Sequence, residues 1–194
     1  MSGTTILIYG ADQPFGRRLN YYLTGYAIER NRPVTCVVKS GAPGTQEEIQ
    51  KDLWSTYTGE HGTQRPTHVV NAYRLESMDR LEYDKELGFT HNTHPTARVA
   101  LAARGAGIPL IHISTDQVFR GTKGPYADDA DPWPVNMYGL SMRLAEKAAV
   151  AFHPMTWPSG AEYPVGAFIV RLSWIYGREV ASAPRVTSGA TKQK

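Results

Sequence analysis

Gly10 and Gly16 stand either side of Gln13 in the run Gly10-Ala11-Asp12-Gln13-Pro14-Phe15-Gly16, directly after the apolar stretch Ile6-Leu7-Ile8-Tyr9. Glycines spaced in this way between a strand and a helix serve a dinucleotide's phosphates. One makes the tight turn, a second lets the backbone approach the pyrophosphate, and a third lets the helix pack close to the sheet. The outer two are present here, but the middle position is Gln13, which carries a side chain where the phosphates would approach. Pro14 removes one backbone N–H from a helix end whose donors would hold the anion, although proline sits comfortably in a first helical turn. The run keeps what makes a turn and loses part of what binds phosphate; a ligand-free strand–turn–helix fits it equally. Lys39, at the end of the next apolar run, stands where an acidic residue would accept hydrogen bonds from the ribose of NAD. A cation there leans toward the 2′-phosphate of NADP, and a solvated strand-end lysine is the plainer alternative.

Apolar runs alternate with helical patterns along the chain, which predicts βαβ units and a parallel sheet. Strands are expected over Thr4–Tyr9, Val34–Val38, His68–Asn71, Leu110–Ile113 and Ala167–Leu172. Helices are expected over Pro14–Tyr26, Gln46–Tyr57, Asp79–Arg104 and Tyr138–Phe152, the third broken near Gly88 and restarting around Asn92. Gly105, Gly107 and Pro109 mark where that helix stops. The expected fold is α/β: a Rossmann-type doubly wound parallel sheet in three αβα layers, over residues 1–180. Residues 181–194 are basic and poor in apolar side chains, and read as a disordered tail.

The 194 residues, 41% hydrophobic and 20% charged, suit one globular domain with a sizeable core. No apolar run approaches the ~18 residues of a membrane-spanning helix, and no signal peptide is evident. Cys36 is the single cysteine, which rules out an intrachain disulfide and favours the cytoplasm or another reducing compartment. The net charge of +3 comes from scattered basic residues. No zinc, helix-turn-helix or RNA-binding signature accompanies them, so neither a metal nor a specific nucleic acid is expected.

The most distinctive stretch is Ile111-His-Ile-Ser-Thr-Asp-Gln-Val-Phe-Arg-Gly-Thr-Lys-Gly-Pro-Tyr126. It resembles the ISTDYVFDGxxGPY segment of the dTDP-4-dehydrorhamnose reductases, which are extended short-chain dehydrogenases/reductases. The related regulatory β subunit of methionine adenosyltransferase shares it. Further matches follow in order: Val70-Asn71-Ala72 resembles VINAAAY, Asn92-Thr-His-Pro95 resembles NxxxP with one residue fewer, Asp131-Pro-Trp-Pro-Val-Asn-Met-Tyr138-Gly resembles DxPxPxNxYG with its aspartate one place closer to the proline, and Arg171-Leu-Ser-Trp-Ile-Tyr-Gly177 matches RxSWxYG.

The resemblance implies roles. Thr115 and Tyr138 fall on the residues that hold the substrate carbonyl, the tyrosine delivering a proton as hydride arrives from the nicotinamide. Gly10, Gln13, Phe15, Gly16, Lys39, Asn71, Ala72, Ser114 and Tyr138 fall on cofactor-binding positions. The family's lysine, four residues after the tyrosine, reads Met142 here. An ammonium there favours the ionised phenol and shares a helix face with it, whereas a thioether carries no charge and donates nothing. Loss of one positioned electrostatic donor is often worth ~2.7–4 kcal/mol of barrier. Arg143 lies ~100° further round the helix and Lys147 more than two turns beyond Tyr138, so neither is expected to substitute. Gln117 replaces the tyrosine of STDYVF, and Asp116 reads as a brace for the loop.

Family members continue into a smaller lobe over the nucleotide sugar, and this chain is expected to lack most of it, an incomplete sequence being the alternative. The open cleft is therefore expected to meet a protein partner or a second copy. Three functions follow: a non-catalytic structural, regulatory or binding subunit; an NADP(H)-binding sensor; or an active NADPH-dependent reductase of a 4-keto-6-deoxy nucleotide sugar. NADP is favoured over NAD, with no cofactor as the alternative.

Overall fold

Leu7 and Ile8 are consecutive, point to opposite faces of one strand, and are both fully buried. A strand covered on both faces belongs inside a parallel sheet flanked by helices. The computed structural model, which describes residues 3–30, 34–59, 62–122, 124–160 and 163–173, has that architecture. Thr4–Tyr9 (β1) pairs in parallel with Val34–Lys39 (β2) on one side and His68–Asn71 (β5) on the other. Leu110–Thr115 (β6) and Ala167–Leu172 (β7) complete a five-stranded sheet of order β2-β1-β5-β6-β7.

Helices cover both faces. Ile8 packs with Phe15, Leu19 and Leu23 of Pro14–Glu29 (α1). Leu7 packs on the other side with Ile49 and Leu53 of Gln46–Trp54 (α2), Val99 of His94–Ala106 (α5) and Ala149 of Met137–Phe152 (α6). The chain leaves β1 outward to β2 and then crosses back to β5. The carboxyl ends of β1 and β5 thus flank the point where strand order reverses, and there an open α/β sheet leaves a crevice.

The sequence-based boundaries need several corrections. α1 runs three residues past Tyr26. α2 starts at its Thr45–Glu48 capping box and stops at Trp54. Tyr57 lies instead in an antiparallel hairpin, Tyr57–Gly59 (β3) with Gly62–Gln64 (β4). Strands of three residues are too short to show an alternation, so no periodicity marked them.

The break expected near Gly88 is present as a change of helix type, and a further break lies ahead of it. Met78–Tyr83 (α3) ends at Asp84, whose carboxylate accepts from the Glu86 N–H to start Lys85–Gly88 (α4). The backbone stays helical through Gly88 and widens into a π turn over Phe89–Thr93 before α5. Pro95 has no N–H to give to the preceding turn, and the ladder accommodates it with the wider turn. Gly107, at φ 68°, caps α5 as expected. Residues 174–177 of the last motif and the tail 181–194 lie outside the described residues. Among the described residues, no helix is long and apolar enough to cross a membrane.

Candidate functional site

The loop after β1 is built from close backbone contacts. A Cβ on Gly16 would lie 2.2 Å from the Gly10 carbonyl oxygen, and one on Gly10 would lie 2.6 Å from the Tyr73 backbone. Gly10 also sits at φ 74°, in the left-handed region. Both glycines therefore seat α1 against β1 and the end of β5. Two donors beside them are used within the chain: the Ala11 N–H donates to the Lys39 carbonyl at 3.1 Å and the Gln13 N–H to the Gly10 carbonyl at 3.0 Å. Asp12 accepts from the Gly41 N–H at 2.7 Å, which puts a carboxylate on the same loop.

Gln13 reaches across the crevice. Its Nε2 donates to the Arg74 carbonyl at 2.7 Å, and its Oε1 accepts from the Arg74 N–H at 3.1 Å. The two loops that leave β1 and β5 are thereby joined. Beside this junction lies a cleft of about 260 Å³, lined among others by Phe15, Ala72, Arg74, Thr115, Tyr138 and Leu172.

Tyr138 enters the cleft from the first turn of α6. Asn136 starts that helix by accepting from the Gly139 N–H at 2.7 Å. Thr115 enters from the end of β6, where its hydroxyl accepts from the Gln117 N–H at 3.2 Å and donates to Asp116 Oδ1 at 3.4 Å. Burial pushes the Tyr138 phenol up to about 12; the Arg74 charge and the nearby Thr115 hydroxyl pull it down, while Glu76 and Asp116 push it further up. Met142 is fully buried among Leu81, Val118, Met137 and Tyr138. The position four residues after the phenol is thus apolar interior. It carries no charge to help the phenol ionise.

Arg74 is the residue sequence reading missed. Its Nε pairs with the Glu76 carboxylate, its side chain is 10% exposed, and its buried Nη1 has no hydrogen-bond partner. The signal was present: VINAAAY continues with alanines where this chain has Tyr73-Arg74.

Of the residues singled out from sequence, Gln13, Phe15, Ala72, Thr115 and Tyr138 meet at the cleft, with Gly10 and Gly16 behind them. Three do not. Ser114 is buried and donates to Glu146 Oε1 at 2.7 Å, facing α6, because alternate residues of β6 point to opposite faces. Asn71 is buried and donates to Thr96 Oγ1 at 3.0 Å, facing α5. Lys39 is paired with Asp52 at 2.6 Å, and the same carboxylate accepts from the Tyr9 hydroxyl at 2.9 Å.

Arg143 is also accounted for. It pairs with Glu146 at 3.0 Å, and Arg171 adds bonds of 2.8 and 2.9 Å to the two oxygens of that carboxylate. Burial pushes the Glu146 carboxyl up, but the bonds from Arg171 and Ser114 outweigh it and hold the group below its usual range. Glu146 thus ties the ends of β6 and β7 to α6, behind the cleft. Among the described residues, no group of three or more potential ligands could hold a metal.

Comparison with known proteins agrees with this architecture. A family model described as "RmlD substrate binding domain" matches residues 4–192. The dTDP-4-dehydrorhamnose reductase of Streptomyces griseus is 33% identical over 114 residues, which are 58% of this chain and 34% of that protein. Methionine adenosyltransferase 2 subunit beta of Xenopus laevis is 29% identical over 113 residues, 58% of this chain and 30% of that one. The crystal structure of dTDP-4-dehydrorhamnose reductase from Bacillus anthracis in complex with NADP superposes with a TM-score of 0.74 at 23% identity, covering 93% of this chain and 57% of that one. The matched region is therefore about a third of the length of these two curated relatives and just over half of the solved structure.

Proposed function

This chain belongs to the family of the RmlD substrate-binding domain, and from that premise we propose that it is a non-catalytic member, a binding or regulatory subunit on a reductase fold. The observation that carries the reading is the buried Met142. The helix face below Tyr138 presents a thioether in an apolar cluster, and the phenol sits at about 12. A general acid works best with a pKa near the ambient pH. A phenol this high holds its proton but gives it up slowly. The likeness to a protein named as a subunit of methionine adenosyltransferase supports a role exercised through a partner.

One observation favours a second reading, that of an NADPH-dependent reductase of a 4-keto-6-deoxy nucleotide sugar. Arg74 is a cation whose charge acts on Tyr138, and it lines the same cleft. The relatives named as reductases bring the substrate class.

Incubation with NADPH and dTDP-4-dehydrorhamnose, followed at the nicotinamide absorbance, separates the two. The expected trace is flat for the wild type and for Tyr138→Phe alike. Turnover that Tyr138→Phe abolishes would overturn the non-catalytic reading.

A further inference from the structure

We propose that the side chain of Gln13 and the backbone of Arg74 form an internal clasp that closes the dinucleotide seat of this fold, so that the chain binds neither NADPH nor NADH with useful affinity. The inference concerns the same crevice as the reading above but rests on different atoms. Turnover tests the phenol; cofactor binding tests the clasp.

Three features support it independently. The first is the pair of hydrogen bonds of 2.7 and 3.1 Å that span from the β1 loop to the β5 loop. A ligand running along the carboxyl ends of β1 and β5 must pass between those loops, and the Gln13 amide lies across that passage. Breaking both bonds leaves the Arg74 peptide unpaired unless the ligand replaces them.

The second is the state of the loop donors. An anion seat needs free N–H groups at a helix start. The Ala11 and Gln13 N–H groups are used within the chain, Pro14 has none, and Asp12 adds a negative charge beside the seat. Phosphate would meet a carboxylate and a reduced donor set, chiefly the Phe15 and Gly16 N–H groups at the start of α1.

The third is space. The Arg74 side chain is nine-tenths buried, with its guanidinium held beside Tyr138 by Glu76. The guanidinium thus fills part of the crevice between the two loops and leaves an open cleft of about 260 Å³. Lys39, the remaining recognition group, is already paired with Asp52.

The test is a fluorescence titration of the whole chain with NADPH and with NADH, up to about 1 mM. It is run on the wild type, Gln13→Ala, Gln13→Gly and Gln13→Gly/Arg74→Ala, with circular dichroism to identify folded variants. The wild type should show no saturable signal. Gln13→Ala cuts both clasp bonds without altering backbone preference, and should bind at least tenfold better than the wild type, as should the double variant. Saturable binding by the wild type with a Kd below about 100 µM overturns the proposal. So does a folded Gln13→Ala or double variant that binds no better than the wild type. Wild-type binding without turnover would remove the clasp and leave the non-catalytic reading standing.

Discussion

Glu146 offers the most demanding test of how the cleft is held. Its carboxylate is 2% exposed and accepts bonds from Ser114, Arg143 and both donor sites of Arg171, at 2.7 to 3.0 Å. Glu146→Ala removes one partner of a buried ionic cluster and leaves the others without compensation. Such losses cost about 3–5 kcal/mol. For a domain of this size, 1 kcal/mol moves Tm by roughly 2–4 °C, so the variant should melt about 6–20 °C lower. Arg143→Ala, which removes one i,i+3 pair from a residue 26% exposed, should cost only about 0.2–0.5 kcal/mol. Glu146→Ala/Arg171→Ala should cost less than the sum of its single variants, because the second change removes the stranded cation. The assay is urea denaturation followed by circular dichroism, read together with thermal melts. A loss below about 1 kcal/mol in Glu146→Ala would refute the assignment of this cluster as the tie between β6, β7 and α6.

Other outcomes follow from named groups. Burial holds the His112 imidazole down to about 4, against the Glu146 charge that raises it and with the Arg74 charge that lowers it. The unfolded chain therefore takes up this proton first, and stability should fall as pH drops from ~6.5 toward 4; His112→Gln should flatten that limb in melts across the range. Glu146 acts in a lower window, its contribution complete above ~4.3 and lost on further acidification, a dependence Glu146→Gln should remove. Difference absorbance titration against Tyr138→Phe should place this phenol near 12, and Arg74→Ala should move it higher by removing a charge that lowers it. Gly16→Ala forces a Cβ against the Gly10 carbonyl and should cost ~1–3 kcal/mol or more in denaturation. Gly25→Ala, within α1 and with nothing within 4 Å of the added carbon, should instead stabilise by about 0.5–1 kcal/mol.

The strands were legible because each buried strand announces itself as a short apolar run bounded by turn residues; β1, β5 and β7 fall where Ile6-Leu7-Ile8, Val69-Val70 and Ala167–Leu172 place them. The meeting of Thr115 with Tyr138 was legible only through motif order, since 23 positions separate them in sequence and no local pattern relates the end of β6 to the start of α6. Side-chain direction was the part that failed. Asn71 and Ser114 stand in motif positions one residue from Ala72 and Thr115, yet strand alternation turns them to the helix layer. Gln13 was read as a missing glycine, which says what the loop lacks. That its amide bonds to a peptide 61 positions away depends on tertiary geometry that no spacing rule contains.

The widened turn ahead of α5 places Asn92 where one amide serves two masters. It accepts from the Leu75 N–H at 2.7 Å, donates to the Leu75 carbonyl at 3.3 Å, and donates to Ser141 Oγ at 2.9 Å. Leu75 adjoins Arg74, and Ser141 lies one turn along from Tyr138. The loop that carries Arg74 and the helix that carries Tyr138 are thus joined through a single amide, with no contribution from the β-sheet.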